Sequence, residues 1–241
     1  MHRTTGCLTA LLWSMFAVSQ AHATLLIFQP SSGVFGDDVS LPAGYGDRVT
    51  ATVQNGFLYG LDGGITPNVV ASYGGEISTW ANDFGDLFHV VYAEGDTSAS
   101  VFEMDLTADP GFQVKLNSFD MAAWPHIDYT INSVRVLNEN DVPLFAQNNV
   151  LIQGDSVGPQ HTHFDFAGVV GQTLKIQWDA TNVLVGGFTD SDDVGITNIN
   201  FSQVQSSGVP EPSTLVLASV VLGVFGVGRL RKRLNRISVG H

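Results

Sequence analysis

Residues 101–116 read VFEMDLTADPGFQVKL. Phe102, Met104 and Leu106 alternate with Glu103 and Asp105, and Phe112, Val114 and Leu116 alternate with Gln113 and Lys115. A period of two is what a strand needs when one face is buried and the other meets water. Between the runs stands Ala108-Asp109-Pro110-Gly111, where proline presets a turn dihedral and glycine accepts a positive φ. The stretch therefore predicts two strands joined as a β-hairpin. Similar runs follow at 131–137, 150–153, 162–167, 173–178 and 194–204, separated by Gly- and Asn-rich breaks, and no long helical period appears between the two ends of the chain. Eight or more short strands over this length predict an all-β domain, a β-sandwich of jelly-roll-like form.

That domain is expected over residues 24–204, with 205–208 as a linker. Residues 24–208 hold four cations (Arg48, Lys115, Arg135, Lys175) against 22 acids, a net charge of −18. Such a surface repels phosphate backbones and anionic headgroups, which excludes nucleic acid as a partner and leaves neutral glycans and divalent cations. The single cysteine, Cys7, falls outside this span, so no disulfide staples the domain and its stability rests on a packed core.

Both ends carry targeting chemistry. Residues 1–23 read as a signal peptide: Arg3 opens a short n-region, an apolar stretch runs from Cys7 through Val18, and Ala21-His22-Ala23 is an A-x-A cleavage site, giving a mature start at Thr24. At the other end Val209-Pro210-Glu211-Pro212 precedes a predicted transmembrane helix, 213–228, and a basic tail, 229–236, with Arg229, Arg231, Lys232 and Arg233 as its stop signal. The uncharged run Pro212–Gly228, 17 residues long, is at the short limit for spanning a bilayer. Its basic flank should stay cytoplasmic, placing the acidic domain on the far side, in agreement with the signal peptide.

This tripartite end, with Pro210, Glu211 and Pro212 ahead of the helix and the Arg-rich tail, resembles the PEP-CTERM sorting signal of Gram-negative bacteria. The resemblance implies an exosortase-type membrane protease as partner and an inner-membrane anchor before processing. It also implies a later destination at the cell surface or in an exopolysaccharide matrix. More loosely, Asp193-Val194-Gly195-Ile196-Thr197-Asn198-Ile199-Asn200-Phe201 resembles the closing strand of galactose-binding-like, carbohydrate-binding-module sandwiches. Val194 and Ile196 share one phase and Ile199 and Phe201 the other, which predicts a bulge at Asn198.

Asp190-Ser191-Asp192-Asp193 is the densest carboxylate cluster, and a hard cation such as Ca²⁺ takes several oxygens from such a loop. A calcium ion would use Asp192 and Asp193, closed by Glu76 or Glu103; the plainer account is a solvated acidic turn. His161-x-His163, continued by Asp165, sets two imidazoles and a carboxylate on one face of an extended segment, with His126 or His89 as a third nitrogen for a metal. The plainer account is that these are the polar side of a strand whose other side is Phe164 and Phe166. Among the aromatics, Trp178 shares the phase of Leu174 and Ile176 and should be core, whereas Trp124, in Ala122-Ala123-Trp124-Pro125-His126, and Trp80 are candidate platforms for sugar rings. Tyr73, Tyr92 and Tyr129 add to this aromatic content.

No nucleophile elbow, HExxH pair or phosphate-binding glycine loop occurs, so catalysis is not expected. The expectation is a non-enzymatic surface or matrix protein associated with exopolysaccharide or glycan. Its rivals are a structural or adhesive protein working through protein contacts, and a secreted polysaccharide hydrolase.

Overall fold

The computed structural model describes residues 23–33, 36–62, 64–74, 77–93, 101–155, 157–181, 184–185, 188–189 and 193–206. The expected signal peptide apart from Ala23, the linker residues 207–208 and the whole sorting segment 209–236 lie outside these residues. Among the described residues no helix is long and apolar enough to cross a membrane.

In chain order the strands are β1 (Ala23–Pro30), β2 (Val39–Ser40), β3 (Val53–Gln54), β4 (Phe57–Asp62), β5 (Val69–Gly74), β6 (Ile77–Trp80), β7 (Val90–Ala93) and β8 (Val101–Ala108). They continue with β9 (Phe112–Ala123), β10 (Tyr129–Asn138), β11 (Pro143–Ile152), β12 (Thr162–Gly171), β13 (Thr173–Asp179), β14 (Leu184–Val185), β15 (Phe188–Thr189) and β16 (Val194–Gln205). Two antiparallel sheets dominate, one ordered β11-β10-β13-β8-β5 and the other β12-β9-β16-β7-β6-β2. A three-stranded ribbon, β1-β4-β3, places β1 against β16.

The expected sandwich is thus present, but the hairpin is not. β8 pairs with β13 and β5, while β9 pairs with β12 and β16, so the two strands belong to different sheets. The turn itself forms, with the Phe112 N–H donating to Asp109 O at 3.0 Å, and it carries the chain from one layer to the other. Alternation is equally well satisfied either way. Phe102, Met104 and Leu106 point inward from one sheet and Val114 and Leu116 from the other, and all five are fully buried in one shared core. Apolar alternation reports which face is covered and says nothing of which strand lies alongside.

Within this core, on the five-stranded sheet, Trp178 and Phe102, register partners on β13 and β8, stack at 3.5 Å between ring centroids. On β16 the register with β9 shifts between Thr197 and Asn200, and Asn198 has φ +52°, so the expected bulge is there. It changes the phase so that Val194 and Ile196, then Ile199 and Phe201, are all buried. The ribbon is tied on by tyrosines. The Tyr45 hydroxyl accepts the Phe28 N–H at 2.7 Å, Tyr59 accepts the Gly46 N–H at 3.1 Å, and Tyr73 donates to Tyr45 O at 3.1 Å. Burial pushes all three hydroxyls above the ordinary tyrosine range, so they act as neutral hydrogen-bonding groups.

Candidate binding surface

β7 is apolar on both faces. Val91 and Ala93 enter the main core, while Val90 and Tyr92 join Phe84, Leu87 and Ala122 in a second cluster on the outer side of the six-stranded sheet. A strand covered on both sides reads as a continuous apolar run, and Val90-Val91-Tyr92-Ala93 is one. The cover is the segment 81–89, folded back on itself by His89 N–H to Ala81 O (3.0 Å) and Leu87 N–H to Phe84 O (2.9 Å). Gly195 makes room for it, since a Cβ there would lie 2.7 Å from Val90 Cγ2 and 3.0 Å from Phe84 Cδ1. At Gly85 (φ +55°) a Cβ would sit 1.7 Å from Gln160 O, so the cover is also pressed against the loop before β12.

At the edge of this cluster stand Trp80, the last residue of β6, and Trp124, the first after β9. Both are half-buried, and their rings meet edge to face at 6.0 Å. Trp80 also meets Tyr92 at 6.1 Å. Trp124 is held by its N–H to Asp193 O (2.9 Å) and a cis bond to Pro125. The neighbouring loop is pinned by Asp128, whose Oδ1 accepts the N–H groups of Gly154 (2.8 Å) and Asp155 (2.9 Å). Those two bonds, Asp155 first, hold the Asp128 carboxyl below its usual range. Polar pairs line the same loops: His161 Nδ1 lies 2.8 Å from Asp86 Oδ1, and His126 Nε2 lies 3.7 Å from Asp83 Oδ1. Phe88, in the covering segment, is 69% exposed. Burial lowers the His89 imidazole, which keeps it neutral.

The two tryptophans singled out separately in the sequence are therefore neighbours, both half-buried. Trp178 is core, as its phase indicated. Asp193 is 8% exposed and meets the site through its carbonyl; Asp190, Asp192 and Glu76 lie outside the described residues. Glu103 does not close a calcium site with Asp193. It stands on the outward face of β8, in the other layer, hydrogen-bonded to Gln177. The His161-x-His163 pair does not act as one unit either, because each ring takes its own carboxylate. His163 Nδ1 is 2.6 Å from Asp120 Oδ1, whose Oδ2 accepts from Asn198 Nδ2 at 2.8 Å. His163 and Asp165 are exposed while Phe164 and Phe166 are buried, the polar and apolar sides of one strand. Among the described residues no group of three or more His, Cys, Asp or Glu is arranged to hold a metal.

A family model described as the PEP-CTERM protein-sorting motif matches residues 208–233. The chain thus carries the C-terminal signal of exported, exosortase-sorted surface proteins, delivered through a membrane-anchored C-terminus. Comparison with curated proteins finds no match. Among solved structures, the isomalto-dextranase of Arthrobacter globiformis T6 complexed with panose is similar at 14% identity and a TM-score of 0.32, covering 75% of this chain. The chain spans about a third of that protein's length, 34%.

Proposed function

We propose that this exported surface protein is a non-catalytic module that associates with the exopolysaccharide around the cell, using the Trp80–Trp124 corner to stack on sugar rings. The observation that carries this reading is the 6.0 Å edge-to-face pair, partly exposed and set among loops that bear His and Asp hydrogen-bonding groups. Aromatic faces take the apolar face of a pyranose, and flanking carboxylates and imidazoles take its hydroxyls. The charge of the domain favours a neutral glycan over an anionic one. Calcium at Asp192 and Asp193 belongs to the same proposal, because Asp193 O fixes the backbone of Trp124.

The test is a pulldown of residues 24–208 on the host's own exopolysaccharide, with and without chelator. Retention that Trp124→Ala abolishes is the expected result, and absence of retention in both conditions contradicts the reading. A structural protein working through protein contacts would keep its assembly behaviour in Trp124→Ala. A hydrolase would release reducing ends from a polysaccharide panel, which the proposed module leaves intact. For calcium, the melting temperature should be higher in calcium than in chelator and the difference should vanish in Asp193→Asn.

A further inference from the structure

An open sheet edge presents a row of unpaired N–H and C=O groups, and proteins normally guard it. In this sandwich most edges are guarded. β5 is capped by Arg48 N–H to Val69 O (2.8 Å) and by Ala71 N–H to Asp47 Oδ1 (2.9 Å). β2 and β3 are two residues long, β1 lies along β16, and β12 breaks register between Asp165 and Val169 and carries charge.

β11 is different. It is ten residues long, PLFAQNNVLI, without one charge in a domain of net charge −18. Within its sheet it pairs with β10 alone, and its links to the other layer run to β12, where Leu151 O accepts from Thr162 Oγ1 at 3.1 Å and Phe145 packs on Phe164 and Phe166. Phe145 turns inward onto Phe164 and Phe166, which sends Leu144 outward. The alternation then changes phase around Asn149 (φ +52°), so that Val150 and Ile152 are buried and Leu151 is outward as well. The two leucines, 40% and 50% exposed, flank the amides Gln147 and Asn148.

We propose that β11 is a self-association surface, on which a second copy of this chain adds its own β11 antiparallel across a two-fold axis. The strand is self-complementary in this sense. A two-fold at Gln147–Asn148 sets amides against amides and brings Leu144 of each copy toward Leu151 of the other. The chemistry of the edge selects a like partner, because two bodies of charge −18 approach with least repulsion along their uncharged strip. The ends of the strip are acidic, with Glu139 before β11 and Asp155 after it, while Asp141 is paired with Lys175 at 2.6 Å, so salt that screens the first two should tighten the pairing.

Sedimentation of the full chain in detergent, at low and at moderate salt, tests this. The wild-type chain should be a dimer that tightens with salt, and L144K/L151K should raise the dissociation constant at least tenfold. Asp165→Lys, a comparable charge change on β12, should leave the dimer intact. Should the leucine variant melt early, Asn148→Lys, at an exposed position on the same strand, repeats the test. A wild-type monomer at every salt concentration, a dimer that survives the β11 lysines, or equal loss in Asp165→Lys overturns the proposal.

Discussion

The carboxyls of Asp128 and Asp105 are shifted in opposite directions. Two backbone N–H groups stabilise ionised Asp128, so its folded pKa lies below the unfolded value of about 3.9. Its contribution is present above that value and is lost as pH falls through the folded pKa. Asp128→Asn should therefore lower the melting temperature at pH 7, an effect reduced by solvent screening of this exposed carboxylate, and the gap from wild type should close on acidification. Asp105 is raised, first by burial and then by Glu103, and its Oδ1 is buried without a partner. The ionised form costs stability above the folded pKa, and the cost is relieved as pH falls through it. Asp105→Asn should accordingly raise the melting temperature at pH 7, with the gain shrinking on acidification. Gly195→Ala is the steric counterpart. The new methyl meets Val90 and Phe84, an overpacking of about 1–3 kcal/mol, read by denaturant unfolding. None of these three environments was legible in full in the sequence: Glu103 beside Asp105 was, but the burial of Asp105, the loop N–H groups on Asp128 and the approach of Val90 and Phe84 to Gly195 depend on tertiary packing.

Among the elements, strands with one covered face were legible and strands without one were not. β8, β9, β10, β12, β13 and β16 each bury a regular apolar side, and the alternation marked them. β11 was foreseen only at its last residues, because from Pro143 to Asn149 its side chains are mostly exposed and leave no period to read. It is an open edge for a separate reason, that only β10 lies alongside it in the sheet. The partnership of β8 and β9 was misread for a different reason: a tight turn can join neighbours in one sheet or facing strands in two, with identical local chemistry. The facing arrangement makes Phe102 and Trp178 part of the core between layers. Trp178→Ala should then cost about 3–5 kcal/mol in denaturant unfolding, as removal of a fully buried aromatic does. A near-neutral result would mean the two sheets do not close over that stack. Trp80 and Trp124 were both legible as candidates. Their meeting was not, because it needs β6, β7, β16 and β9 to lie side by side.

At the scale of the whole molecule, charge and hydropathy divide the chain into parts with separate tasks. The charge of −18 disfavours nucleic acid and anionic lipid as partners of the sandwich, while the sorting motif at 208–233 marks the chain for export to the surface. That motif was legible because it is a contiguous pattern. The Trp80–Trp124 corner was not, because it is assembled from segments far apart in sequence. The account rests on export followed by sorting at the envelope, and the most direct measurement is the intact mass of the protein recovered from fractionated cells. The predicted result is a surface or extracellular species that starts at Thr24 and lacks the segment after the Pro210-Glu211-Pro212 motif, with a longer, membrane-bound form accumulating when the exosortase is removed. A full-length chain, uncut at both ends and recovered from the cytosol, would contradict it.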